Sequence, residues 1–272
     1  MEFSEESFVS TIQTAVRSVY HRGFELLAES PERFTAMSGQ AFAAYLPELA
    51  ADLQTVELRR LLDDTRGWLE NSGMTGTPEQ REATRMIFWQ CMKDAVPSLD
   101  WTHPQRVARI SRAVGAELGL SEQALHDLYW GGLLHDVGKA FVEDLANHVD
   151  ATGAIHAGFP MLRTHAGLGG LLMESARPLF PLGAICAGQH QESVDGSGYP
   201  GGLVYEQLTQ EGRIVNLADG YDATVTRAGW TLAQACEESL RIYTRAGHAD
   251  APVLRAFFRV VEQFHTSWYG TD

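Results

Sequence analysis

The chain has little cysteine: three in 272 residues, Cys91, Cys186 and Cys236, far apart and without a CxxC pair. That spacing supports neither a disulfide framework nor a zinc ribbon, and it suits small buried thiols in a reducing compartment. Basic charge is also scarce, with 21 Lys and Arg against 35 Asp and Glu and a formal net charge of −14. An excess of that size disfavours nonspecific attraction to DNA, RNA or an anionic membrane surface. It does not disfavour a small anionic ligand, because cations gathered in a pocket reverse the local field. No segment approaches the ~18 apolar residues of a membrane span. The opening MEFSEESFVSTIQ lacks the basic and apolar stretches of a secretory signal, so a cytoplasmic protein is the expectation. Internal repeats and low-complexity tracts are missing, and β-alternation is scarce.

What is present is helical pattern. Phe8, Ile12, Val16, Val19 and Tyr20 follow the three-four spacing of one buried face, and Phe42, Tyr45, Leu46, Leu49 and Leu53 repeat it. The stretch Asn71 to Pro78 reads as a linker ending in a helix start, with Thr77 as N-cap, Pro78 in the first turn and Gln80 three residues after the cap. Further helices are expected near 79–94, 103–118, 122–137, 161–174, 179–190, 211–226, 231–245 and 251–268. The size allows one main domain and an accessory piece. The expected division is a smaller N-terminal helical region over 1–92, with a role in regulation or dimerisation, and an all-α main domain over 93–272.

Polar residues then interrupt the apolar stripes. His103 begins the stripe Val107, Ile110, Val114; Leu125, Leu128 and Gly132 lead to His135 and Asp136; Met161, His165, Leu168 and Leu172 share a face. Leu182, Cys186 and His190 line up before a glycine-rich stretch, and Val215, Asp219 and Asp222 line up after it. A buried imidazole or carboxylate needs a partner, and any one of these has an ordinary reading as a hydrogen-bonded core residue. Together they form a mixed set of nitrogen and oxygen donors suited to a divalent ion of the Mn, Fe or Zn kind, and an adjacent His-Asp pair can serve two ions if the aspartate bridges.

These residues resemble the HD-GYP family of metal-dependent phosphohydrolases. The resemblance runs through His103-Pro-Gln-Arg-Val107, Leu134-His-Asp-Val-Gly-Lys139, His165, Gln189-His-Gln-Glu192, Asp195-Gly-Ser-Gly-Tyr-Pro-Gly-Gly-Leu203 and Leu217-Ala-Asp-Gly-Tyr-Asp-Ala223. It covers roughly residues 95–230. It implies an HD-type helical domain whose two divalent ions, Fe or Mn, activate a bridging water to hydrolyse cyclic di-GMP to pGpG or GMP. Carried over, one ion falls to His103, His135, Asp136 and Asp219, and Asp136 bridges to a second held by His165 and His190. Lys139 is implied at the scissile phosphate, and Gly198, Tyr199, Pro200 and Arg227 at the substrate. The loop around Gly198 to Pro200 is also implied as a surface for GGDEF-type or other signalling proteins, and a homodimer is compatible with the family.

The chain departs from the family pattern at three places. Gln191 stands where a second ligand histidine is usual, as a neutral and weaker donor. Leu99 stands where members with three ions carry glutamate. Thr226-Arg-Ala-Gly-Trp230 replaces a segment with two basic residues, of which Arg227 survives. An alternative function on the same residues is therefore a sensor or adaptor with little turnover.

Overall fold

The computed structural model describes residues 4–29, 39–72, 76–142, 158–228, 230–244 and 251–269. The apolar spacings close into helices in chain order: α1 (Glu5–Glu29), α2 (Gly39–Asp52), α3 (Val56–Ser72), α4 (Pro78–Ala95), α5 (Thr102–Glu117) and α6 (Glu122–Leu134). A 3-10 turn (Val137–Phe141) follows α6. The chain continues as α7 (Gly158–Arg163), α8 (His165–Ser175), α9 (Gly183–Gln189), a second 3-10 turn (Tyr205–Gln207), α10 (Gln210–Ala228), α11 (Leu232–Thr244) and α12 (Ala251–Tyr269). The fold is all-α. Among the described residues no strand forms, and an isolated antiparallel bridge joins Asp195 to Val204 across the glycine-rich loop.

The start of α4 is the capping box that the sequence announces. Thr77 accepts from the Gln80 amide at 3.3 Å and donates its own N–H to the Gln80 side chain at 2.7 Å. Three expected helices are shorter or broken, each for a local reason. The helix expected over 122–137 ends at Leu134 and tightens into 3-10 geometry, with Lys139 N–H bonded to the Asp136 carbonyl. The helix expected over 161–174 parts at Thr164, whose N–H and hydroxyl both bond the Met161 carbonyl and tighten that turn. The one expected from 179 begins only at Gly183, because Pro178 and Pro181 lack the N–H that a helix interior requires.

Apolar burial, worth about 1.5–3 kcal/mol for each large side chain, gathers in two clusters. In the first, Phe8, Ile12 and Val19 of α1 and Leu58 and Leu61 of α3 pack with Phe88, Trp130, Leu134, Phe141 and Leu168. The N-terminal helices and the helices after residue 92 thus share one core. The second joins Val107, Ile110 and Val114 of α5 to Val215 and Tyr221 of α10 and to Phe257 and Val261 of α12. Helices α5 and α6 supply residues to both clusters, and the inward polar residues lie between them.

Candidate metal centre

Most of the inward polar residues sit at helix ends. His135 caps the C-terminus of α6, Asp136 opens the following 3-10 turn, His165 opens α8, and His190 caps α9. His103 lies in the first turn of α5 and Asp219 in the middle of α10. Gly138 makes the convergence possible. A Cβ there would overlap the His165 carbonyl oxygen and lie 2.5 Å from the Gly169 nitrogen, so only glycine lets the 3-10 turn press against α8.

The six side chains meet around Asp136, whose two oxygens face different groups. Oδ2 lies 3.5 Å from His103 Nε2 and 3.3 Å from His135 Nε2, while Asp219 Oδ1 lies 3.0 and 3.7 Å from the same nitrogens. Oδ1 lies 3.4 Å from His165 Nε2 and 3.3 Å from His190 Nε2. Two donor sets result, His103/His135/Asp136/Asp219 and Asp136/His165/His190, with Asp136 common to both.

Each imidazole is held from behind through Nδ1. His103 Nδ1 is 2.6 Å from Asp222 Oδ2, and the Nδ1 atoms of His135, His165 and His190 meet the carbonyls of Gly132, Leu162 and Ala187 at 2.7, 2.5 and 2.9 Å. With Nδ1–H donating outward, a neutral ring turns the Nε2 lone pair toward the centre, as in metal sites whose ligands are oriented from the far nitrogen. His103 Nε2, His135 Nε2 and Asp136 Oδ1 are buried and make no hydrogen bond. In the second group, the His165 and His190 Nε2 atoms lie 3.1 Å apart beside Asp136 Oδ1. So dense a set of nitrogen and oxygen donors could hold divalent ions of the Mn, Fe or Zn kind.

Protonation differs between the groups. Burial presses His103 toward neutrality, but Asp136, Asp219 and Asp222 outweigh it and raise its pKa to about 11. His135, likewise opposed by burial, is raised to about 9 by Asp136 and Asp219. Burial disfavours ionised Asp136 and Asp219, yet the neighbouring histidines, with Lys139 beside Asp136, hold both well below the usual carboxylate range. His165 falls to about 3, chiefly through burial. In the ion-free chain, protons compensate the first group while His165 of the second stays neutral.

The other expected residues fall at Lys139, in the glycine-rich loop and near the end of α10. Lys139 Nζ lies 2.5 Å from Asp136 Oδ2, beside a recess lined by Leu99, Asp100, Trp101, His103 and Pro104. Gly198 sits where a Cβ would overlap the backbone of Glu192 and Ser193, Gly196 takes φ +76°, and the Tyr199–Pro200 bond is cis. The Tyr199 ring lies edge-on to His165, with Arg163 over its face at 5.2 Å. Gln191 directs its amide nitrogen to Asp219 Oδ2 at 3.1 Å and its oxygen to the Tyr199 hydroxyl at 3.0 Å. Arg227 falls near the end of α10, and its side chain lies outside the described residues.

The structure adds supporting residues that the sequence reading did not assign. Asp222, fully buried, is held by Arg106 through Nε at 2.7 Å and Nη2 at 3.0 Å and by the Tyr269 hydroxyl at 2.5 Å. Glu192 accepts from Gly201 N–H at 2.5 Å and Leu203 N–H at 2.9 Å, closing the glycine loop around a buried carboxylate. Asn216 donates to the carbonyls of His190 and Glu192 at 2.5 and 2.9 Å, which fixes the backbone on either side of Gln191. Only Asp222 left a signal in the sequence, as the residue after Asp219 on the inward stripe.

Comparison with known proteins identifies the family. The HD domain family model matches residues 90–251. A cyclic di-GMP phosphodiesterase of Thermotoga maritima is 32% identical over 165 residues, covering 59% of this chain and 44% of that protein. Another from Pseudomonas aeruginosa is 30% identical over 166 residues, 59% of this chain and 39% of its own length. A 3'3'-cGAMP-specific phosphodiesterase of Vibrio cholerae is 26% identical over 178 residues, 63% and 40%. The chain thus spans less than half the length of each of these relatives. A family match over more than half of the chain makes this protein a member of the HD domain family.

Proposed function

We propose that the chain is a metal-dependent phosphodiesterase that hydrolyses cyclic di-GMP at a two-ion centre, giving pGpG or GMP. The observation that carries this reading is the split of Asp136, one oxygen to each donor set, among four imidazoles pinned through Nδ1 with Nε2 inward. His103, His135, Asp136 and Asp219 would hold one ion of Fe or Mn, and Asp136, His165 and His190 the second. When bound, two such ions activate water and offset the charge that develops on phosphoryl oxygens. Asp136 orients both donor sets at once. Lys139, 2.5 Å from the Asp136 carboxylate, would take a scissile phosphate oxygen. Gly198, Tyr199 and Pro200 would flank the nucleobase, and Arg227 would contact a phosphate. The substrate's negative charge would meet these cations within an otherwise acidic chain, so recognition depends on the local field and not on the net charge.

Two other readings have support. The relative specific for 3'3'-cGAMP favours a second cyclic dinucleotide as substrate. Commitment of the Gln191 amide to Asp219 and Tyr199 leaves the second ion with three protein ligands and favours a cyclic-dinucleotide sensor or adaptor. Under any of these the protein acts in the cytoplasm, with GGDEF-type proteins meeting the glycine loop or a second copy completing a homodimer. Among the described residues no helix is long and apolar enough to cross a membrane. The test is anaerobic reconstitution with Mn²⁺ or Fe²⁺ and assay on both dinucleotides. Turnover abolished in Asp136→Ala supports the enzyme. Tight binding without turnover at every metal loading refutes it in favour of the sensor.

A further inference from the structure

Gln191 occupies the position of an expected ligand, yet both ends of its amide are engaged elsewhere. Nε2 donates to Asp219 Oδ2 at 3.1 Å, and Oε1 accepts from the Tyr199 hydroxyl at 3.0 Å. The amide orientation follows from its partners. A carboxylate oxygen accepts, so the amide nitrogen faces Asp219, and the Tyr199 hydroxyl donates to the amide oxygen. Turning the amide over would set its oxygen against the Asp219 carboxylate oxygen, a pair with no donor between them. The backbone repeats the link, because Tyr199 N–H donates to the Gln191 carbonyl at 3.1 Å.

The oxygen of Asp219 that Gln191 holds is the outer one. The inner one, Oδ1, lies 3.0 Å from His103 Nε2 and 3.7 Å from His135 Nε2. A hydrogen bond to one oxygen restrains rotation of the carboxylate about Cβ–Cγ and so favours the orientation in which the other oxygen is aimed at the centre. Asn216 fixes the backbone from which Gln191 reaches. Tyr199, eight residues along, belongs to the loop that Glu192 closes from beneath.

We propose that Gln191 is a positioning residue and not a metal ligand: it clasps Asp219 in the orientation that binds the first ion and couples that orientation to the glycine loop through Tyr199. A residue usual in this family as a donor has become a tie between the metal shell and the substrate loop. Loosening the loop then weakens the first ion through the hydrogen bond from Tyr199 to Gln191. The second group keeps three protein donors, Asp136, His165 and His190. The metal half of this proposal rests on the two-ion reading above, and the loop half does not.

The test compares wild type with Gln191→Met, which keeps length without the amide, and Tyr199→Phe, which removes one oxygen. Metal-free proteins are titrated anaerobically with Mn²⁺ by calorimetry, and hydrogen exchange is followed over residues 195–203 without metal. Gln191→Met should bind its first Mn²⁺ about tenfold more weakly, within the range for lost orienting partners. Its loop amides should exchange several-fold faster. Tyr199→Phe should speed exchange similarly and weaken the first Mn²⁺ by roughly threefold, as for one lost hydrogen bond acting at a distance. Unchanged loop exchange in both variants overturns the clasp, and unchanged Mn²⁺ affinity in Gln191→Met overturns the positioning role. A wild-type chain that binds no Mn²⁺ sinks the two-ion reading together with the metal half of the proposal, and the exchange data then decide the clasp alone.

Discussion

Asp222→Asn is the substitution whose outcome follows most fully from the geometry. The carboxylate is fully buried and accepts from four donors: His103 Nδ1 at 2.6 Å, Arg106 Nε at 2.7 Å, Arg106 Nη2 at 3.0 Å and the Tyr269 hydroxyl at 2.5 Å. Asparagine keeps the shape but offers one acceptor oxygen, and its NH₂ then faces donors. If the oxygen takes the place of Oδ2, His103 and Arg106 Nη2 keep an acceptor while Arg106 Nε and the Tyr269 hydroxyl face the NH₂; if it takes the place of Oδ1, Arg106 Nε and Tyr269 keep theirs and His103 loses its orienting partner. Loss of such an orienting partner weakens metal binding ~10–100-fold, which is about 1.4–2.7 kcal/mol. Breaking a fully buried charge pair costs about 3–5 kcal/mol, and Arg106 is partly exposed, so about 2–3 kcal/mol of folding stability is expected to go. Calorimetry with Mn²⁺ on metal-free protein reads the first effect, and denaturant unfolding of the metal-free protein reads the second. Tyr269→Phe, which leaves the His103 contact in place, should show a smaller loss in both. An Asp222→Asn chain that both binds its first Mn²⁺ within twofold of wild type and keeps wild-type stability would refute the reasoning, because in either orientation of the amide the donors on one side of the carboxylate lose their acceptor.

Two further outcomes are expected. Gly138→Ala must move the 3-10 turn away from His165 and Gly169, costing about 1–3 kcal/mol or more, and it should release the second ion before the first; a melting temperature and Mn²⁺ count equal to wild type would contradict the close approach. The raised pKa values of His103, about 11, and His135, about 9, mean that the ion-free chain carries protons where the first ion goes. Their contribution to stability is full below the unfolded pKa near 6.5 and is lost as pH rises through those folded values. Metal binding near neutral pH should therefore release at least one proton and tighten as pH rises, which calorimetry in two buffers of different ionisation enthalpy will detect; zero release would contradict it.

The sequence disclosed what depends on periodicity and on local chemistry. His103, His165, His190 and Asp219 were found because each stands on an apolar stripe, and the α4 capping box because its residues are neighbours in sequence. The pairing of donors was supplied by family resemblance and not by spacing, since spacing carries no information on which helix ends meet. Several features were hidden for the same reason. The contacts of Gly138 are with His165 and Gly169, those of Asp222 with Arg106 and Tyr269, and those of Gln191 with Asp219 and Tyr199, all across elements. Helix limits near Leu134 and Thr164 were misplaced because apolar periodicity continues through a tightened turn. The packing of α1 and α3 against helices beyond residue 92 was likewise invisible, since an amphipathic face does not name its partner.

The central claim is that four inward imidazoles and two aspartates make a two-ion centre bridged by Asp136. The direct measurement is the number of Mn²⁺ ions bound per chain by anaerobically prepared wild-type protein, beside Asp136→Ala. The account predicts two in the wild type and a loss of at least one in the variant. A wild-type chain that holds no more than one ion at saturating Mn²⁺, or an Asp136→Ala chain that still holds two, would contradict it.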